Sequence, residues 1–211
     1  MFKDEIPKLH AIAEERNLNH IKMSHRLMDG NLLFNIKKAI KEENIDFIVM
    51  GTSGAAGWQA FFLGTNTGNV LTAVDVPVLS VPSDAKFNKI STIGFTTRYR
   101  EKDKKALKSV LKIAKKTNAI VKCLYVKTND SDVSPSTIKQ WEEEFVGEPI
   151  QFSLIPSDDV QDTILDFVLF KDIDVLAMLT YKRNFFVELF KPSLTQKFSN
   201  RLGIPVLAMH E

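Results

Sequence analysis

The chain contains one stretch twice. Residues 44–81, "NIDFIVMGTSGAAGWQAFFLGTNTGNVLTAVDVPVLSV", align without a gap on residues 172–209, "DIDVLAMLTYKRNFFVELFKPSLTQKFSNRLGIPVLAM", at an offset of 128. Ile45 and Asp46 match Ile173 and Asp174, Met50 matches Met178, Thr52 matches Thr180, Thr67 matches Thr195, and Pro77, Val78 and Leu79 match Pro205, Val206 and Leu207. Upstream, a helical pattern carrying Ile36 and Ile40 faces one carrying Ile164 and Val168. Beyond a one-residue gap, "HIKMSHRL" faces "PIQFSLIP". Self-similarity at a fixed offset means one supersecondary unit built twice, so what one repeat folds into constrains the other.

The second repeat makes the order of elements legible. "KISTIGFTT" reads as a strand, the stretch from about Lys102 to Lys116 as an amphipathic helix, and "AIVKCLYVK" as the next strand. Leu107, Val110, Leu111 and Ala114 form the inner face of that helix, and its lysines form the outer one. A further helix opens with Ser134 as N-cap and Pro135 at the first helical position, where the missing N–H is no loss. Then come "EPIQFSLI", a helix through Ile164 to Val168, "DVLAML", a short helix "SLTQKFSNRL" and "IPVLAM". The strands are continuous apolar runs rather than alternating ones, as expected where helices cover both faces of a sheet. The fold class is therefore α/β, with a doubly wound parallel sheet in each repeat.

The first repeat is shorter. Residues 1–82 are expected to give helix, strand, helix, strand, helix, strand, with "HIKMSHRL" as the first of these strands. They lack a counterpart of the second repeat's opening strand, helix and second strand, which form the usual centre of such a sheet. Asp46 and Asp174, repeated at one place, are expected to end the preceding helix. "PSDAKFN" punctuates the chain, which divides it into domains 1–82 and 89–211 joined by a linker at 83–88. With central strands missing, the first domain would expose unpaired edges. Either the chain is truncated relative to its natural full length, or the gap is closed by another chain or by direct pairing of the remaining strands, and a dimer or larger homo-oligomer is predicted on that ground.

Between two apolar runs lies "GTSGAAGWQAFFLGTNTGNV", with Gly51, Gly54 and Gly64 followed by Thr65 and Asn66. Gly51 ends the strand "IDFIVM", which puts the segment at the carboxyl end of a parallel strand, where doubly wound folds receive ligands. Glycine lets the backbone come close to a ligand and aim bare N–H groups at phosphate oxygens. "TNTGNVLTAV" then begins a helix, with Thr65, Asn66 or Thr67 as its cap, and the helix N-terminus adds partial positive charge for an anion. Trp58, Phe61 and Phe62 read as packing residues.

These residues resemble the universal stress protein family, in its tandem form with two Rossmann-like, adenine nucleotide alpha hydrolase-like domains in one polypeptide. "MGTSGAAG…FLGTNTGNV" followed by "VPVLSVP" is similar to the family's nucleotide-binding signature and last strand. The resemblance implies ribose and phosphate contacts to ATP or AMP, with or without Mg, from Gly51, Gly54, Gly64, Thr65 and Asn66. It also implies pairing of the two domains through their last strands, "VPVLSV" and "IPVLAM". The family's aspartate at the end of the first strand has no place in the first repeat. In the second repeat Arg98 or Thr97 stands there, and a guanidinium cannot accept the hydrogen bonds of a carboxylate. Gly51, Gly54, Gly64 and Thr65 become Leu179, Lys182, Pro192 and Ser193, and proline offers neither an N–H nor positive φ. The second domain is therefore expected not to bind nucleotide through this loop.

Other chemistries find little footing. Cys123 lies alone in an apolar strand, and His10, His20, His25 and His210 are scattered without metal-ligand spacing, so no metal is expected. A formal net charge of +2 gives no nucleic-acid stripe. No apolar run reaches the roughly 20 residues of a membrane helix, and no secretion signal opens the chain, which is read as cytoplasmic. There is no Walker-type lysine or catalytic triad order, so a regulatory nucleotide binder is expected rather than an enzyme, with slow ATP hydrolysis left open. The alternative is an interaction module of the same fold that has lost nucleotide. An adenylating enzyme is weaker, because both repeats lack substrate-binding insertions.

Overall fold

The computed structural model describes residues 2–52, 66–82, 85–86, 89–180 and 204–210. They fall into two compact units, one ending at Asn31 and one beginning at Leu32. The N-terminal unit is helix α1 (Phe2–Glu15) followed by residues without a strand. "HIKMSHRL" is therefore not the strand expected from its match to "PIQFSLIP". The cause lies in the pairing, since β5 (Ile150–Pro156) is held along its whole length by β4 (Ile120–Lys127), from Val121↔Ile150 to Lys127↔Pro156. The first repeat has no β4 to offer that ladder. Without that ladder, the apolar pattern alone does not make a strand.

The larger unit begins with α2 (Leu32–Glu43), β1 (Ile48–Thr52), α3 (Asn66–Ala73) and β2 (Val78–Pro82). The second repeat supplies β3 (Thr92–Thr96), α4 (Glu101–Thr117), β4, α5 (Pro135–Glu144), β5, α6 (Val160–Phe170), β6 (Val175–Leu179) and β7 (Val206–Met209). α5 starts as its sequence predicts, with Ser134 Oγ accepting from the Thr137 N–H at 3.2 Å. The segment "SLTQKFSNRL" and most of the 83–88 linker lie outside the described residues, as do Trp58, Phe61 and Phe62.

Among the described residues seven strands form one sheet in the order β1-β2-β7-β6-β3-β4-β5. Within each repeat the neighbours are parallel, while the last strands β2 and β7 pair with each other, as the family resemblance implies, and their direction is antiparallel. Their register is Val78↔Ala208, Leu79↔Leu207 and Ser80↔Val206. Leu79 and Leu207 are also repeat equivalents, so the junction is symmetric about that pair. The duplicated unit thus meets its copy across a pseudo-two-fold axis, in the manner of an isologous dimer interface. Ser80, fully buried there, donates its hydroxyl to the Val206 carbonyl at 3.2 Å.

Alternate residues of each buried strand feed opposite faces. Leu176, Met178, Val206 and Ala208 join α3 and α6 on one face, while Val175, Ala177, Leu207 and Met209 join α4 and α5 on the other. Cys123 is buried in the second of these layers. Gly94 in β3 is required by a close approach, because a Cβ there would lie 2.9 Å from Ile173 Cγ2.

Helices α1, α2, α4 and α6 end alike. Asn17, Asn44, Asn118 and Asp172 take φ of 56°, 52°, 53° and 48°, and the next N–H returns to the carbonyl five residues back. This is the left-handed helix stop, which Asn and Asp reach at lower cost than other residues with a Cβ. Asn44 and Asp172 are repeat equivalents, and they end the helices, a role the sequence suggested for Asp46 and Asp174. Asp174 instead binds across strands, its Oδ2 accepting from Ser91 N at 2.7 Å and Thr92 N at 2.9 Å at the start of β3. Asp46 has no β3 counterpart to hold.

Candidate functional site

The carboxyl ends of the parallel strands are the places to look for a ligand. β1 ends at Thr52 and α3 begins at Asn66, so the glycine-bearing segment is bracketed by a strand end and a helix N-terminus. Gly51 lies within the strand, and among the described glycines only Gly30 and Gly147 have positive φ. Its backbone conformation is thus one that any residue could take. What Gly51 provides is space, since a Cβ added there meets no atom within 4 Å. Gly54, Gly64 and Thr65 lie outside the described residues, and Asn66 is described only by its backbone, at the start of α3. Lys182, Pro192 and Ser193 of the degenerate counterpart also lie outside them.

The second repeat builds a cavity of about 980 Å³ at the same end of its sheet. Leu124, Val126, Val160, Ile164, Met178 and Leu179 give it an apolar lining. Its polar residues carry both signs, with Arg98, Arg100 and Lys102 against Glu101, Asp130 and Asp132. This combination can receive a ligand with an apolar body and a polar or anionic end.

One residue shapes the loop after β3. Asp103 is fully buried in the first turn of α4, and its Oδ2 accepts from Arg98 N at 2.7 Å, Arg100 N at 3.1 Å and Thr97 Oγ1 at 3.2 Å. Three donors on one carboxylate oxygen fold the backbone of 97–100 around it. Thr97 Oγ1 also accepts from Tyr99 N at 2.9 Å. Tyr99 sits at φ 55°, a strained conformation for an aromatic residue. Its ring is buried edge-on against Tyr125 and Trp141, at centroid distances of 5.2 and 5.0 Å, which offsets that strain. Burial pushes the Tyr99 phenol well above its ordinary value, so it stays neutral. The turn sends Tyr99 inward and leaves Arg98 and Arg100 exposed at the cavity.

Thr97 and Arg98 therefore do occupy the end of the first strand, as the sequence predicts, but they play different parts. Thr97 is buried and bound to Asp103, while Arg98 offers its side chain to solvent. Asp103 was not singled out from the sequence. Its signal is an acidic residue three positions after Arg100, where a carboxylate can reach back to the N-cap N–H. On the opposite wall, Ser131 Oγ accepts from Thr128 N at 2.9 Å and fixes the turn after β4. Among the described residues no group of three or more His, Cys, Asp or Glu side chains could hold a metal ion, and no helix is long and apolar enough to cross a membrane.

Residues 3–82 match the universal stress protein family. No curated protein matches the chain. The chain is similar over 99% of its length to a universal stress protein from Archaeoglobus fulgidus, covering 77% of it with a TM-score of 0.68 and 18% identity. It is similar over 97% of its length to a functionally unknown protein from Pseudomonas aeruginosa, covering 77% of it with a TM-score of 0.71 and 12% identity. At these identities the likeness is one of fold.

Proposed function

From a chain that resembles the universal stress protein family, in its first repeat by sequence and along nearly its whole length by fold, we propose a regulatory protein that binds an adenine nucleotide on the glycine segment of residues 1–82. Gly51, Gly54, Gly64, Thr65 and Asn66 would approach the phosphates of ATP or AMP, and residues 89–211 would serve as the pairing partner. The observation that supports this reading is the bracket formed by the β1 end and the α3 start, with open space at Gly51. Backbone N–H groups there can meet an anion without a lysine. A bound Mg would act by neutralising phosphate charge.

A second reading is favoured by the 980 Å³ cavity, which lies in the repeat whose glycines are replaced. There the nucleotide would rest its base on the apolar lining and its phosphates near Arg98. Calorimetry of the whole chain with ATP and with AMP, each with and without Mg, separates the two readings. Loss of binding in Gly64→Pro with retention in Arg98→Glu supports the first repeat, and the reverse pattern moves the nucleotide to the second. No heat with the folded wild-type chain overturns both and leaves an interaction module.

A further inference from the structure

We propose that the chain forms a two-fold dimer in which β1 pairs antiparallel with β1 of a second molecule. The two repeats expose the reason. In the second repeat β6 is flanked by β7 and by β3, with Ile93↔Val175, Gly94↔Leu176 and Phe95↔Ala177 in register. Among the described residues the equivalent strand β1 pairs with β2 alone. The sheet face is open there as well: Val49 is 63% exposed, whereas its equivalent Ala177 is wholly buried in the layer with α4 and α5. α2 shares this loss, because α6 packs on β4 and the first repeat has no β4. No residue of α2 is buried, and Phe34 is 67% exposed.

Within β1 the open edge lacks two of the devices that keep edges apart. Ile48–Thr52 contains no charge and no proline. It is also complementary to itself. A two-fold axis through Val49 sets Val49 against Val49 of the second molecule, Ile48 against Met50, and Phe47 against Gly51. Phe47 is 37% exposed, and Gly51 has open space where its Cβ would be. An aromatic ring laid over a cross-strand glycine fills that space and shields the backbone.

The other sheet edge, β5, is a poorer occupant. It ends in Pro156, which cannot donate to a ladder, and a β1-to-β5 contact would be head-to-tail and would not close at two molecules. The β1-to-β1 contact closes at two and joins the sheets of two molecules into one.

Light scattering on the full chain across micromolar concentrations tests this. The wild-type chain is expected to be dimeric and V49K monomeric with an unchanged circular dichroism spectrum, while a mixture of V49K and V49E chains regains the dimer. A monomeric wild-type chain, or a V49K chain that remains dimeric, overturns the proposal. V49C gives a check that does not depend on added charge. The sole native cysteine, Cys123, is buried, so mild oxidation should yield a reducible covalent dimer in V49C and none in the wild type. Failure of V49C to cross-link rules out the register centred on Val49.

Discussion

Asp103 and Asp174 show what a single carboxylate can organise when its oxygens meet backbone N–H groups. Asp103 holds the turn beside the cavity and Asp174 starts β3, each through Oδ2. Replacing Asp103 by Ala would strand two backbone donors and the Thr97 hydroxyl around a buried gap. The expected cost is about 2–4 kcal/mol in denaturant unfolding, with Asp103→Asn losing less because one acceptor oxygen survives. Neither role was legible in the sequence. Asp174 grips Ser91 and Thr92, which are far from it along the chain, and only the β6–β3 pairing brings them together. Gly51 was legible in place but not in purpose, since it supplies room in an extended strand rather than a left-handed turn.

At the scale of elements, periodicity and turn chemistry read well wherever a segment has its partners. The opening strand of the second repeat, its amphipathic α4 and the Ser134–Pro135 start of α5 all stand within a few residues of where the pattern puts them. "HIKMSHRL" fails because strand formation is a pairwise event, and its pattern alone does not say whether a neighbour exists. The four left-handed helix stops are a recurrent local device, and Asn118 after α4 is the one to test. Asn118→Ala is expected to cost about 1 kcal/mol, because a Cβ without a compensating polar group is disfavoured at positive φ. Asn118→Gly should hold stability near wild type, so equal melting temperatures for the Ala and wild-type chains would contradict this account.

For the molecule as a whole, the duplication in the sequence anticipates a symmetry in space, with Leu79 and Leu207 equivalent by alignment and paired by register. Leu207 is 2% exposed at this centre. Leu207→Ala should cost about 2–5 kcal/mol and shift one cooperative unfolding transition of the larger unit rather than split it, as calorimetry would show. Periodicity and composition do not reveal that both repeats share one sheet, because last-strand pairing is fixed by backbone ladders that leave no pattern of their own; the family resemblance is what implied it. The covalent link between the repeats has a further effect. Only three residues of each last strand are matched at the junction, a contact that two separate molecules would surrender on dilution. Carried on one polypeptide, the second strand stays at a high effective concentration beside the first, so this joint is insensitive to how much protein a cell holds. Any response to protein level must then act at a different edge of the sheet.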